Sequence, residues 1–279
     1  MTIRIVTDSA CDVPPDIAEK IGITIVPVYI NIGDQSYLDG VDLSRREFFV
    51  NLPAYDLFPT TAAPASGTFT SVYQHLADEG TTEILSLHIA ANLSNTYNAA
   101  RLGAEDVQGA RVTLWDTKQI TMGSGLQVIV AAEAAAEGRS IAEILTLLQE
   151  KRSKTRIYAV LDTLEFLRRS GRVSWTQFGL GTLLRIKPVL EVFEGDVIMN
   201  DRVRTSRRAQ LRLIELVEAQ QPLERIAVLH ANNLQEAQRL QKQAAFLFPP
   251  EQELIFMEIT PAIGSHIGPG AVGFAFISE

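Results

Sequence analysis

The chain has 279 residues, 46% hydrophobic and 21% charged, with a formal net charge of −8. That composition is ordinary for a globular protein with a sizeable core. The negative balance argues against a non-specific nucleic-acid binder, which needs many phosphate-neutralising cations.

Short β-rich runs alternate with helical stretches. "IRIVTD" (3–8) and "ITIVPVYI" (23–30) read as strands, and "EILSLHI" (83–89) and "RVTLWD" (111–116) follow. Continuous apolar runs of this kind suit parallel strands buried on both faces. "FTSVYQHLADEG" (69–80) is a helix stopped by Gly80, with Ser66 or Thr68 as its cap. "SNTYNAARLGAEDV" (94–107) opens with Ser94, a good N-cap. "QITMGSGLQVIVAAEAAAEG" (119–138) is apolar on most faces, so its helix is expected to be buried. "SIAEILTLLQEKR" (140–152) begins with a capping box of Ser140 and Glu143.

A second block opens near 156. Strands are expected at 156–161, 189–200, 225–230, 253–259 and 271–277. The "EGD" at 194–196 marks a hairpin and hence antiparallel pairing. The expected fold is α/β in two domains, with a cleft between them. Residues 1–155 form a mostly parallel sheet with flanking helices, and 156–279 an α/β unit with antiparallel strands.

Cys11 is the single cysteine, which excludes an intrachain disulfide and fits a reducing, cytoplasmic setting, as it also fits a disulfide-free secreted protein. "MTIRIVTDSACDVP" lacks the basic-then-apolar pattern of a signal peptide. No apolar run reaches the roughly 18 residues of a membrane span. The longest candidate, "GLQVIVAAEAAAEG", is interrupted by Gln127 and Glu133.

Three stretches offer neutral hydrogen-bond donors. "FPTTAAPASGTF" (58–69) carries Thr60 and Thr61, and reads equally well as a turn with a helix cap. "AANLSNTYN" (90–98) places Ser94 at a helix N-terminus after a strand, where open α/β sheets bind ligands and the helix dipole favours an anion. A plain N-cap explains it too. "GSHIGPGAVG" (264–273) reads as a loop, with His266 among Gly264, Gly268 and Gly270. "LEFLRRSGRVS" (164–174) and "RVRTSRRAQLR" (202–212) are basic: a solvated helix face, a docking surface or a phosphate clamp.

There is no G-x-x-x-x-G-K-[ST], and "GLGTLLRIKP" (179–188) lacks that spacing. There is no G-x-S-x-G elbow. His75, His88, His230 and His266 lack zinc-site spacing, so no metal is expected.

The motifs in order resemble the DegV family of fatty-acid-binding proteins, which includes the acyl-carrying subunits of bacterial fatty acid kinase. "VTDSACDVP" (6–14), "PTTAAPASGTF", "LSNTYNAA", "DTKQITMGSG" (116–125), "LEFLRRSGRVS", "LLRIKPVLEVFEG" (183–195) and "IGSHIGPGAVG" (263–273) match along essentially the whole chain. The resemblance implies a non-catalytic carrier with no cofactor and a buried lipid tunnel. The ligand it implies is a fatty acid of roughly C16–C18, each buried methylene contributing about 0.8 kcal/mol. It implies that Thr61, Ser94 and His266 bind the carboxylate, supported by Thr60, Asn95, Gly268 and Gly270. It implies a separate ATP-dependent kinase partner, with Arg169, Arg172, Arg202 and Arg204 as kinase or phosphate contacts, and transient membrane contact at most. Ala62, Ala63 and Ala65 replace polar residues of the family pattern, and Asn95 replaces a glycine. The tunnel would be bounded by side chains such as Ile120, Met122, Leu126, Leu184 and Ile186. The alternatives are a hydrolase or acyl transferase using Ser94 with His266 as base, oriented by Asp8, and an arginine-mediated nucleic-acid binder.

Overall fold

The computed structural model describes residues 3–173 and 186–279. Leu184 and the first seven residues (179–185) of the glycine-bearing "GLGTLLRIKP" stretch fall outside the described residues.

Strand β1 (Ile3–Asp8) leads through a short turn to helix α1 (Pro15–Ile21), which ends at Gly22 in the left-handed region. Strands β2 (Ile23–Val26), β3 (Tyr29–Ile32) and β4 (Gln35–Leu38) follow, then helix α2 (Arg45–Asn51), β5 (Thr60–Ala62) and α3 (Ser66–Asp78). Next come β6 (Glu83–His88), α4 (Thr96–Ala104), β7 (Arg111–Asp116), α5 (Thr121–Ala136) and α6 (Ile141–Lys154). The second half contains β8 (Thr155–Val160), α7 (Glu165–Ser170), β9 (Lys187–Phe193), β10 (Asp196–Val203) and α8 (Ser206–Glu218). It continues with β11 (Leu223–His230), α9 (Leu234–Gln243), β12 (Ile255–Glu258), α10 (Pro261–Ile267) and β13 (Val272–Ser278).

The first sheet is parallel, in the order β2-β1-β6-β7. The largest sheet runs β10-β9-β8-β13-β11-β12, antiparallel except for the β11–β12 pair. A third, antiparallel sheet has the order β4-β3-β5. The run 23–30 is therefore not one strand. Pro27 cannot donate to a ladder, and the chain changes sheets there. The small antiparallel sheet accompanies the parallel one, so the first half is mostly parallel, as expected.

Layering follows from which faces are apolar. Helices α3 and α4 cover one face of the parallel sheet through Phe69, Tyr73 and Ala100. Helices α8 and α9 cover the outer face of the large sheet through Leu213, Val217 and Leu240. Helix α5 contacts β1 and β6 of one sheet and β8, β11 and β13 of the other. A helix between two sheets has no solvent side, which is why its sequence is apolar nearly all round. One core, including Ile5, Leu85, Leu126, Ile157 and Ala275, runs through both sheets. The Gln119 side chain fastens the halves, donating to the Thr155 and Val192 carbonyls at 2.9 and 3.2 Å.

Candidate functional site

A cavity of about 520 Å3 opens between the two sheets beside the N-terminus of α5, within the range of small-ligand pockets. Its walls are mostly apolar: Ile157, Ala159 and Leu161 come from alternate positions of β8 and the residue after it, and Leu190 and Val192 from β9. Strand period places these side chains on one face of the sheet. Exposed Ala62, Ala91, Asn92, Asn95 and Arg172 form the rim.

The polar groups of the cavity come from separate elements. Thr61 sits on β5, paired with Ile30 of β3, and is half-buried, whereas Thr60 is exposed on the other face of the strand. The expected hydroxyl caps of α3 are absent: its N-cap is Ala65, with no side-chain bond. His266 stands in the last turn of α10 and not in an open loop, because Pro261 is accommodated at the helix start and Gly268 ends it. Gly264 is tolerated there because it lets the helix approach α2. A Cβ on it would lie 2.7 Å from Phe49 Cζ and 2.9 Å from Phe48 Cε1.

His266 Nε2 and Thr61 Oγ1 are 2.8 Å apart. Burial, with a smaller contribution from the nearby Arg172 cation, pushes the imidazole pKa down to about 4. The ring is therefore neutral at pH 7, and its residual accessibility faces the cavity.

Ser94 also lines the cavity but is not the N-cap of α4. That position is Asn95, which makes no capping bond. The Ser94 hydroxyl instead accepts from the Thr96 amide at 3.2 Å and meets Thr96 Oγ1 at 2.8 Å. The first-turn amides of α4 lack intrahelical acceptors, so the dipole argument holds one residue later than expected.

The structure thus brings Thr61, Ser94, Asn95, Arg172 and His266 to one cavity. Gly268 and Gly270 are not in its wall: Gly268 packs against the Phe166 ring, and a Cβ on Gly270 would meet Asp162. Arg169 pairs with Glu165 at 2.9 Å and lies 3.9 Å from the centre of the Phe58 ring. Arg202, whose Nε lies 2.9 Å from Met199 Sδ, and exposed Arg204 are on the β10–α8 side, away from the cavity wall. Of the proposed tunnel residues Ile120 lines the cavity, while Met122, Leu126 and Ile186 do not.

The Ser–His–Asp arrangement of the alternative reading is not assembled among the described residues. Among the described residues no hydrogen bond joins Ser94 to His266. Asp8 bonds His88 Nδ1 at 2.9 Å, and His88 Nε2 continues to Ser86 and Tyr73, all buried. Thr121 also lines the cavity and escaped the sequence reading. Its positive φ of 40°, rare for a β-branched residue, is invisible in composition.

Fold and cavity define a class: α/β proteins that enclose a mostly apolar chamber into which a few hydroxyls and the imidazoles of His230 and His266 are set. The family model described as "Uncharacterised protein, DegV family" matches residues 2–279. The chain belongs to the DegV family. A DegV domain-containing protein of Deinococcus radiodurans is 38% identical over 278 residues, covering 99% of this chain and 98% of the relative. A DegV family protein from Thermus thermophilus, described by its fatty acid binding, superposes with a TM-score of 0.91 at 34% identity over 100% of both chains. DegV of Bacillus subtilis, described as a fatty acid binding protein, superposes with a TM-score of 0.90 at 27% identity, again over 100% of both. Among the described residues no helix is long and apolar enough to cross a membrane.

Proposed function

We propose that this protein binds a long-chain fatty acid with its tail in the cavity and its carboxylate at Thr61, Ser94 and His266. The observation that carries the reading is the Thr61–His266 hydrogen bond at the polar side of an otherwise apolar chamber. Each buried methylene contributes about 0.8 kcal/mol, so the tail supplies most of the affinity; a chain of roughly C16–C18 is what the family resemblance implies. A carboxylate left without donors would offset several kcal/mol of that gain. The neutral ring solves this if Nε2–H donates to Thr61 Oγ1, because the threonine O–H is then free to donate to the carboxylate. Asn95, at the rim, is in reach as a supporting donor. Fatty-acid binding by the Thermus and Bacillus relatives supports the assignment.

The protein acts as a non-catalytic carrier, without a cofactor, in the cytoplasm. It presents the carboxylate to a separate ATP-dependent kinase, which forms the acyl phosphate. Residues 1–155 and 156–279 serve as two lobes of one unit. Arg172 at the rim steadies the head group, while Arg169, Arg202 and Arg204 contribute to kinase docking. The alternative of an acyl hydrolase loses support because, among the described residues, the Ser94 hydroxyl meets Thr96 and no histidine, and burial pushes the His266 pKa down to about 4. Titration with palmitate tests the reading. One palmitate per chain, with no release of p-nitrophenol from acyl p-nitrophenyl esters, is the expected result. Absence of binding, or sustained ester turnover lost in Ser94→Ala, would overturn it.

A further inference from the structure

The segment "VTDSACDVP" lies outside the proposed carboxylate contacts, yet its acidic side chains reach across the fold. Asp12 is buried, with its carboxylate fully enclosed. One oxygen accepts the Thr260 amide at 2.9 Å, across 248 residues, and lies 3.3 Å from the Arg45 guanidinium. The other accepts the Thr121 hydroxyl at 2.6 Å. Arg45 also donates to the Glu258 carbonyl. Asp39, buried beside this group, accepts from the Ser9 hydroxyl at 2.7 Å and has the Ala262 amide near it.

These contacts converge on the entry to α10. Thr260 is the N-cap of that helix, but its side chain makes no capping bond, and Pro261 has no amide to offer. The orphan amides at this helix start therefore look to remote carboxylates. Asp12 also holds Thr121, a β-branched residue at φ 40°, a conformation that persists only when its surroundings impose it. Thr121, Ala262 and His266 all line the same cavity. Helix α2 adds a second grip, since Arg45 begins it and its Phe48 and Phe49 close on Gly264.

We infer that Asp12, with Asp39 and Arg45 beside it, is a positioning residue for the carboxylate site: it caps α10 from across the fold and so sets where His266 meets Thr61. Asp12 touches no ligand in this role. The inference rests on the proposed fatty-acid reading for its consequence, but its geometric content concerns the ligand-free protein.

The test reads the His266 imidazole by proton–nitrogen NMR without ligand, and palmitate affinity by calorimetry. In Asp12→Ala the imidazole signals shift and palmitate binds about tenfold or more weakly, as for loss of a well-placed hydrogen bond to a charge. Asp12→Asn, whose amide oxygen still accepts from Thr260, recovers part of both. Ser9→Ala, a milder change that loosens Asp39, moves the imidazole signals in the same direction. Leu148→Ala, at a buried position of α6, lowers the melting temperature but leaves the imidazole signals in place. A folded Asp12→Ala with wild-type imidazole signals and affinity overturns the inference. So does a shift of equal size in Leu148→Ala. If Asp12→Ala does not fold, unmoved signals in Ser9→Ala overturn it instead. A wild-type protein that ignores palmitate would sink the functional reading alone, and the ligand-free signals would still judge the positioning.

Discussion

Thr61 Oγ1 and His266 Nε2 meet at 2.8 Å although 205 residues separate them. The pair joins the small antiparallel sheet to the helix before the last strand, so the polar side of the cavity exists only in the folded chain. Thr61→Val keeps shape and removes the hydroxyl. A hydrogen bond to a charged group contributes about 1.5–3 kcal/mol, so palmitate affinity should fall by roughly tenfold to a hundredfold. Calorimetry checks this, and an unchanged melting temperature shows that the fold is kept.

The neutral state of His266 gives a pH signature. Its folded pKa of about 4 lies below the ordinary value of 6.5. Between those values the unfolded chain takes up a proton that the folded chain refuses, so stability rises with pH across that window and is lost on acidification. Asp39 acts oppositely: burial raises its pKa from 3.8 to about 7, so its contribution declines as pH rises through that range. Melting curves from pH 4 to 7 should therefore show His266→Gln removing the acid-side loss and Asp39→Asn removing the decline toward neutrality. A bound carboxylate raises the His266 pKa, which the NMR titration of its ring reports as an upward move with palmitate.

Cavity space can be closed from the sheet. Ala159 pairs with Leu190 and Gly273 on the cavity face. Ala159→Leu puts an isobutyl group into the chamber. The ligand-free protein should melt no lower than wild type, because the added group fills existing space, while palmitate affinity should drop more than about tenfold, the loss of two buried methylenes.

Charge reversal separates carrying from presentation. Arg202→Glu with Arg204→Glu should slow acyl phosphorylation by the kinase and leave the palmitate dissociation constant unchanged, since neither residue lines the cavity. Equal kinase turnover in the double variant and wild type would remove these arginines from the docking account.

Local signals in the sequence were reliable where local physics decides. The capping box at Ser140 and Glu143 forms, and the hairpin turns at Glu194 and Gly195, both with positive φ. The apolar run of α5 predicted burial, although not that the helix lies between two sheets. What failed depended on remote partners. The stretch around His266 reads as a loop because glycine disfavours helix. The helix forms because Gly264 admits Phe48 and Phe49 and because Asp12 holds the Thr260 amide. Ser94 has the chemistry of a cap, but the helix starts two residues later and Thr96 takes its hydroxyl. Asp8 was free to be matched with any histidine until the parallel pairing of β1 with β6 brought His88 beside it.

The most direct measurement is denaturing extraction of the natively purified protein followed by mass spectrometry of the organic phase, in parallel with Thr61→Val. The account predicts close to one long-chain fatty acid per wild-type chain and a clear reduction in the variant. An empty wild-type extract that stays empty after incubation with palmitate, or equal loading of both proteins, would contradict it.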